Sequence, residues 1–181
     1  MKSLIWLLDV GKRTSYPRRK QDFYPTPLAA VQPLLPHLPK KIIFDEPCAG
    51  DGSLVDHLED AGHRCIWATD INPRRPDIGP YDVFKINKVH GDCFITNPPW
   101  RWQILNPLIT TLKNIAPTFL LLNADVIHNR RMATHMSKCV KIISIGRVSW
   151  LQNNQTGFEN CAWMLFDRSH NGPCNFIGRM D

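Results

Sequence analysis

The sequence has no C-x-x-C pair. Its six cysteines, Cys48, Cys65, Cys93, Cys139, Cys161 and Cys174, stand apart and mostly inside apolar runs. That spacing excludes zinc ribbons and redox dithiols and reads as small hydrophobes in a reducing cytosol. The seven histidines show no ligand spacing either, so no metal site is expected. Long hydrophobic runs are missing as well. The opening run Leu4-Ile5-Trp6-Leu7-Leu8 is halted by Asp9, too soon for a signal peptide or a membrane span. No internal repeat, G-x-G-x-x-G or G-x-x-x-x-G-K-[ST] occurs, which argues against dinucleotide and triphosphate cradles.

What remains is a chain of 181 residues with 43% hydrophobic and 21% charged composition, the size and balance of one globular domain. Its 15 prolines outnumber 10 glycines, pointing to many fixed turns. Charge is unevenly spread. Residues 1–20 carry Lys2, Lys12, Arg13, Arg18, Arg19 and Lys20 against Asp9 alone, five of the net six positive charges. A basic arm over 1–21 suits contact with a polyanion, and a solvated tail is the other reading that charge leaves open. A domain over 22–168 and a tail over 169–181 without an expected element complete the organisation.

Within that domain strands and helices alternate. Residues 28–38 read as an apolar helix cut by Pro33 and Pro36. Ile42-Ile43-Phe44 is a short buried strand, followed by a glycine-bearing turn and a helix over 54–61 closed by Gly62. Strands are expected at 64–70, 93–96, 118–122, 140–145 and 161–166, with a weak element at 81–84 and helices over 104–115 and 126–136. The leucine-rich strand at 118–122 belongs in a parallel sheet covered on both faces. The last two strands, joined without a helix, are expected to pair as an antiparallel hairpin at one edge. The fold class is therefore α/β, a Rossmann-like doubly wound sheet of seven mostly parallel strands.

Ligands of such sheets sit beyond the carboxyl ends of the strands, which directs attention to four places. Glu46-Pro47-Cys48-Ala49-Gly50-Asp51-Gly52 is a strand-turn-helix whose glycines either let backbone approach a ligand or simply make a tight loop. Asp70 ends the next strand about 20 residues after the glycines, where a carboxylate can bind a ribose diol. Asp82 beside Val83 and Phe84 could hold an amino-bearing heterocycle or be an ordinary turn residue. Cys93-Phe94-Ile95-Thr96 runs into Asn97-Pro98-Pro99-Trp100-Arg101-Trp102, a buried strand that stops in two prolines and two tryptophans. A nucleoside without phosphates fits these strand ends.

In this order the motifs resemble those of the S-adenosylmethionine-dependent amino-methyltransferases, a class I methyltransferase group, and above all its DNA adenine-N6 members. The resemblance spans about residues 22–166, with Asn97-Pro98-Pro99-Trp100 its most specific element. It implies S-adenosylmethionine as cofactor, held by Tyr24, Thr26, Pro27, Glu46, Cys48, Ala49, Gly50, Gly52, Asp70, Ile71, Asp82, Val83 and Asn97. It also implies catalysis by Asn97, Pro98, Pro99 and Trp100. Chemically, an adenine N6 lone pair is delocalised into the ring. The Asn97 side-chain oxygen and the Pro98 carbonyl can each accept one N–H and localise it, while Trp100 offers a stacking face. Trp102 is read as a second stacking face or a loop anchor.

The resemblance implies DNA, single- or double-stranded, as partner and relaxed sequence specificity, as in small forms carried by phages and mobile elements and acting in a bacterial cytoplasm. Lys12, Arg13, Arg18, Arg19, Arg101, Trp102, Arg130, Arg131 and the 152–160 loop are the candidate nucleic-acid contacts; an exposed helix face is the other reading of Arg130 and Arg131. RNA adenine N6, protein glutamine N5, and an inactive cofactor-binding partner subunit are the alternatives, and a homodimer is a further possibility. Two departures from the family pattern stand out. Trp100 replaces the commoner Tyr or Phe, and Asp45 occupies a strand position usually apolar.

Overall fold

The structure, a computed structural model, describes residues 23–150, 157 and 159–179. The basic arm, and with it Lys12, Arg13, Arg18 and Arg19, lies outside the described residues, as does most of the 152–160 loop.

Among the described residues one eight-stranded sheet runs β3-β2-β1-β4-β5-β7-β6-β8. Its strands are β1 (Ile43–Glu46), β2 (Arg64–Asp70), β3 (Gly79–Pro80), β4 (Cys93–Thr96), β5 (Thr118–Asn123), β6 (Cys139–Arg147), β7 (Asn160–Phe166) and β8 (Asn175–Ile177). The helices are α1 (Leu28–Val31), α2 (Ser53–Asp60), α3 (Trp102–Ile115) and α4 (Ala133–Met136). Only β7 runs antiparallel to its neighbours. The doubly wound order reverses between β1 and β4, and the strand ends on either side of that reversal form the site.

Alternation of side chains covers both faces. Along β5, Phe119 and Leu121 join Ala30, Val31, Leu34, Leu54, Leu58 and Trp163 on the α1–α2 face. Leu120 and Leu122 join Phe94, Leu105, Leu108, Ile109 and Leu112 on the α3 face. A period of two through a run apolar at every position from Phe119 to Leu122 is what a sheet buried on both sides requires. Fully buried Trp163 satisfies its indole by donating to the Ala30 carbonyl at 2.7 Å, which fixes α1 to the sheet.

Four expectations need correction. The sheet has eight strands, because residues 175–177 in the stretch read as a tail pair in parallel with β6. The antiparallel pair β6–β7 is consequently internal. The tail is drawn in by Lys138, whose ammonium donates to the His170 carbonyl and Asn171 side chain at 3.0 and 2.8 Å, and by the Cys139 and Cys174 sulfurs 3.5 Å apart. Residues 81–84 hold no strand. The third strand is two residues at 79–80, followed by a 3₁₀ turn at Val83–Lys85 that the Asp82 carboxylate caps through the Phe84 N–H. Finally, 126–136 is not one helix. Asn123 caps a 3₁₀ turn through the Asp125 N–H, a second 3₁₀ turn follows at Arg130–Met132, and α4 is only four residues. Asn and Asp side chains that bond their own backbone two residues on favour turns over helix.

Among the described residues no helix is long and apolar enough to cross a membrane, and no cluster of His, Cys, Asp and Glu could hold a metal.

Candidate active site

A cavity of about 380 Å³ opens at the carboxyl ends of β1, β2 and β4. One side is the glycine turn. Gly50 and Gly52 have φ of +56° and +81°, a region that side-chain-bearing residues rarely adopt. A Cβ on Gly50 would also lie 2.8 Å from the Phe23 ring, and one on Gly52 would collide with the Arg75 guanidinium. The Gly50 N–H donates to Asp70 Oδ2 at 2.9 Å and the Asn72 N–H to Asp70 Oδ1 at 2.7 Å. The Asp70 carboxylate thus ties the two strand ends together and keeps further lone pairs toward the cavity it lines. Behind it Arg75 bridges Asp56 on α2 and Asp77, both at 2.7 Å. The Arg74 guanidinium lies 3.8 Å over the Phe23 ring.

Glu46 lines the same cavity and is 1% exposed, and its Oε2 has no hydrogen-bond partner among the described residues. Burial, with Asp51 and Asp70 nearby, holds this carboxyl well above the usual carboxylate range. An orphaned acceptor of this kind calls for a cationic or N–H-bearing ligand. Burial, with the negative fields of Asp70 and Glu46, likewise pushes the Cys48 thiol up, so it is no thiolate nucleophile at neutral pH. Asp82, Val83 and Phe84 form the far wall beside Ile71.

The opposite side is the end of β4. The Asn97 Nδ2 donates to Thr26 Oγ1 at 3.1 Å and to the Tyr24 carbonyl at 3.5 Å, which turns Oδ1 away from both acceptors. Asn97, Pro99 and Arg101 line the cavity, and Pro98 is buried. Trp100 departs from the expected role. It is not among the lining residues; its indole donates to the Leu121 carbonyl at 2.9 Å, and its ring meets Trp150 edge-on at 5.7 Å. An indole with an N–H and a large apolar face anchors the loop to β5 where a Tyr or Phe could not donate in the same way. Trp102 opens α3, with the Arg131 guanidinium 4.5 Å over its ring and His135 at its edge.

The structure therefore gathers Tyr24, Thr26, Glu46, Cys48, Ala49, Gly50, Asp70, Ile71, Asp82, Val83, Asn97, Pro99 and Arg101 around one cavity. Pro27, Gly52, Pro98, Trp100, Trp102, Arg130 and Arg131 are not on its wall. The sequence marks no role for Arg74 and Arg75; Arg74 lies over the Phe23 ring, and Arg75 pairs with Asp56 on α2 besides Asp77 two residues on. The sequence also leaves Asp45 without a partner. The structure supplies three donors to that buried carboxylate: the His90 N–H at 2.8 Å, the His90 ring at 3.1 Å and the Gly91 N–H at 3.1 Å. A charged residue inside an apolar strand was the available signal, since such a group needs partners.

The sheet has the class I methyltransferase fold, as the solved structures that align with it show. No protein-family model matches the sequence, and no curated protein matches it significantly. Solved structures do match. A candidate RNA methyltransferase of Pyrococcus horikoshii aligns at 14% identity and a TM-score of 0.61, over 81% of this chain and 88% of that one. The M protein of the type I restriction enzyme EcoKI (EC 2.1.1.72) aligns at 13% and 0.53, over 87% and 48%. A dimethyladenosine transferase from Plasmodium falciparum aligns at 14% and 0.52, over 80% and 62%. The chain spans about half the length of the EcoKI protein.

Proposed function

We propose that this protein transfers a methyl group from S-adenosylmethionine to the exocyclic N6 amine of adenine in DNA, with relaxed sequence specificity. The single observation that carries the reading is the Asn97 amide, held through its nitrogen so that its oxygen is left to accept from a ligand at the mouth of the sheet. In this reading Asp70 takes the ribose diol, Asp82 with Val83 and Ile71 the adenine, and Glu46 the cationic amino-acid end of the cofactor. The unpartnered Glu46 oxygen and the lone pairs left on Asp70 fit those groups. The cofactor supplies an electrophilic sulfonium methyl when bound. The chain's part is to prepare the nucleophile. Asn97 Oδ1 accepts an N–H of the target amine and draws its lone pair out of the ring; the Pro98 carbonyl, held fixed by the prolines but off the cavity wall, serves as the second acceptor only for an amine seated past Asn97. Water takes the surplus proton.

A duplex hides N6, so the base is flipped or single strands are used. In this reading Trp100 fixes the loop, and its stacking role passes to the cavity wall around Pro99 and Arg101. Transfer of labelled methyl to matched DNA oligomers, with adenine and without, tests the proposal. Label only in the adenine-containing strand is expected; equal label in the adenine-free strand overturns it, and label only in the RNA counterpart moves the substrate to RNA.

A further inference from the structure

Thr26 and Asn97 are 71 residues apart, yet the Thr26 hydroxyl lies 3.1 Å from the Asn97 amide nitrogen. Thr26 is 5% exposed, so water does not readily substitute for it. The neighbouring Tyr24 carbonyl, 3.5 Å from the same nitrogen, can only accept. That carbonyl decides which end of a nearly symmetric amide faces the cavity, and the Thr26 hydroxyl, which can donate or accept, holds the amide there. Were Asn97 flipped, its oxygen would face the Tyr24 carbonyl oxygen, and an NH₂ would be presented to a target that also brings N–H groups. Two donors would then meet where a donor and an acceptor are required.

We infer that Thr26 is a positioning residue that acts through Asn97, holding the amide in the orientation that the Tyr24 carbonyl selects so that its oxygen meets the target amine, rather than a cofactor ligand. The inference rests on the proposed reading for its effect on turnover, but the orientation it describes belongs to the protein alone. A hydroxyl can donate or accept, so the direction of the amide is chosen by the Tyr24 carbonyl, while the shorter Thr26 contact holds the amide nitrogen in place. Thr26→Val keeps the shape and removes the acceptor; Thr26→Ser restores it. Loss of one such hydrogen bond corresponds to a drop in turnover of about tenfold at most.

Two measurements on the full chain test this. In the first, the Asn97 side-chain amide resonance is identified by its disappearance in Asn97→Asp. It is expected to move toward the position of a solvent-exposed amide in Thr26→Val and to stay near the wild-type position in Thr26→Ser. An unmoved resonance in Thr26→Val overturns the inference. In the second, Thr26→Val is expected to lower kcat about tenfold while cofactor Kd stays within twofold, with Thr26→Ser recovering kcat. A raised cofactor Kd with kcat intact would make Thr26 a cofactor ligand and overturn the inference. Absence of methyl transfer by the wild type would refute the proposed function, and the resonance measurement would then decide the Thr26–Asn97 contact on its own.

Discussion

The two walls of the cavity are built by different means. On the glycine-turn wall the polar contacts run between neighbouring strand ends and are made largely by backbone: Gly50 and Asn72 N–H to Asp70, the Ala49 N–H to the Thr69 carbonyl and the Arg74 N–H to the Gly50 carbonyl. On the Asn97 wall they are made by single side chains reaching across the fold, Asn97 to Tyr24 and Thr26, Trp100 to Leu121, Arg131 to Trp102. Contacts between two backbone groups survive exchange of most side chains, Gly50, Gly52 and Asp70 being the exceptions on that wall; a lone side-chain contact does not. The first wall is suited to holding a ligand and the second to discriminating what is done with it.

The sharpest way to separate the walls is to truncate one residue of each. Asn97→Ala is expected to lower kcat by about 10²–10³, the loss seen when one positioned acceptor or donor is removed from a developing charge, with cofactor Kd unchanged. Asp70→Ala should do the opposite, weakening cofactor binding as the glycine turn loses two carboxylate contacts. Calorimetric titration beside single-turnover rates distinguishes them. A variant of residue 97 with wild-type turnover would remove the division altogether.

Asp45 joins the two walls, since its carboxylate on β1 holds residues 90–91 immediately before β4. Asp45→Asn leaves one acceptor oxygen and turns an NH₂ toward a backbone N–H. The expected cost is about 1–3 kcal/mol. Melting should show this as roughly 2–4 °C per kcal/mol for a chain of this size. A variant melting with the wild type would mean that the buried carboxylate is not required to fix the loop.

How far the chain could be read in advance follows the same division. The strand-turn-helix from β1 to α2, the place of Asp70 at the end of the next strand and the apolar run Phe119 to Leu122 of β5 are legible because each is written in adjacent residues and fixed spacings. The fate of Trp100 is not, because an aromatic after two prolines has the same local signature whether it faces a ligand or donates to a carbonyl on β5. The break of residues 124–136 into 3₁₀ turns was signalled by Asn123, Asp125 and Asn129, and the apolar spacing outweighed them in the reading. The eighth strand was missed because Asn175–Ile177 is three residues, too short for any periodicity, and is assembled by Lys138 and Cys139 from another strand's edge.

Glu46 offers a gentler test of the wall proposed to hold the cofactor. Its folded pKa is raised, so the folded state holds a proton that the unfolded state has released. Stability conferred by the neutral acid is full below the ordinary carboxylate range and is lost as pH rises toward the folded pKa. A cationic ligand reverses the preference by favouring the carboxylate. Cofactor affinity is therefore expected to rise with pH across that interval, with proton release on binding, and Glu46→Gln should flatten both trends. Affinity independent of pH in the wild type would separate Glu46 from the cofactor.

The smallest effect is expected at the outer margin of the Asn97 wall. Arg131 is exposed and covers the Trp102 ring, an arrangement in which the guanidinium keeps its remaining N–H groups for an anion. A contact of this kind with one phosphate should make Arg131→Ala weaken nucleic-acid binding evenly across sequences and reduce the slope of log K against log salt by about 1. If the guanidinium serves only to cap the indole, the loss would be about 0.5–1 kcal/mol of stability with an unaltered salt slope. Binding isotherms at several salt concentrations, read beside a melting curve, tell the two apart. A change in slope would extend the discriminating wall from Asn97 outward to Arg131, whereas a change in melting alone would end it at Arg101.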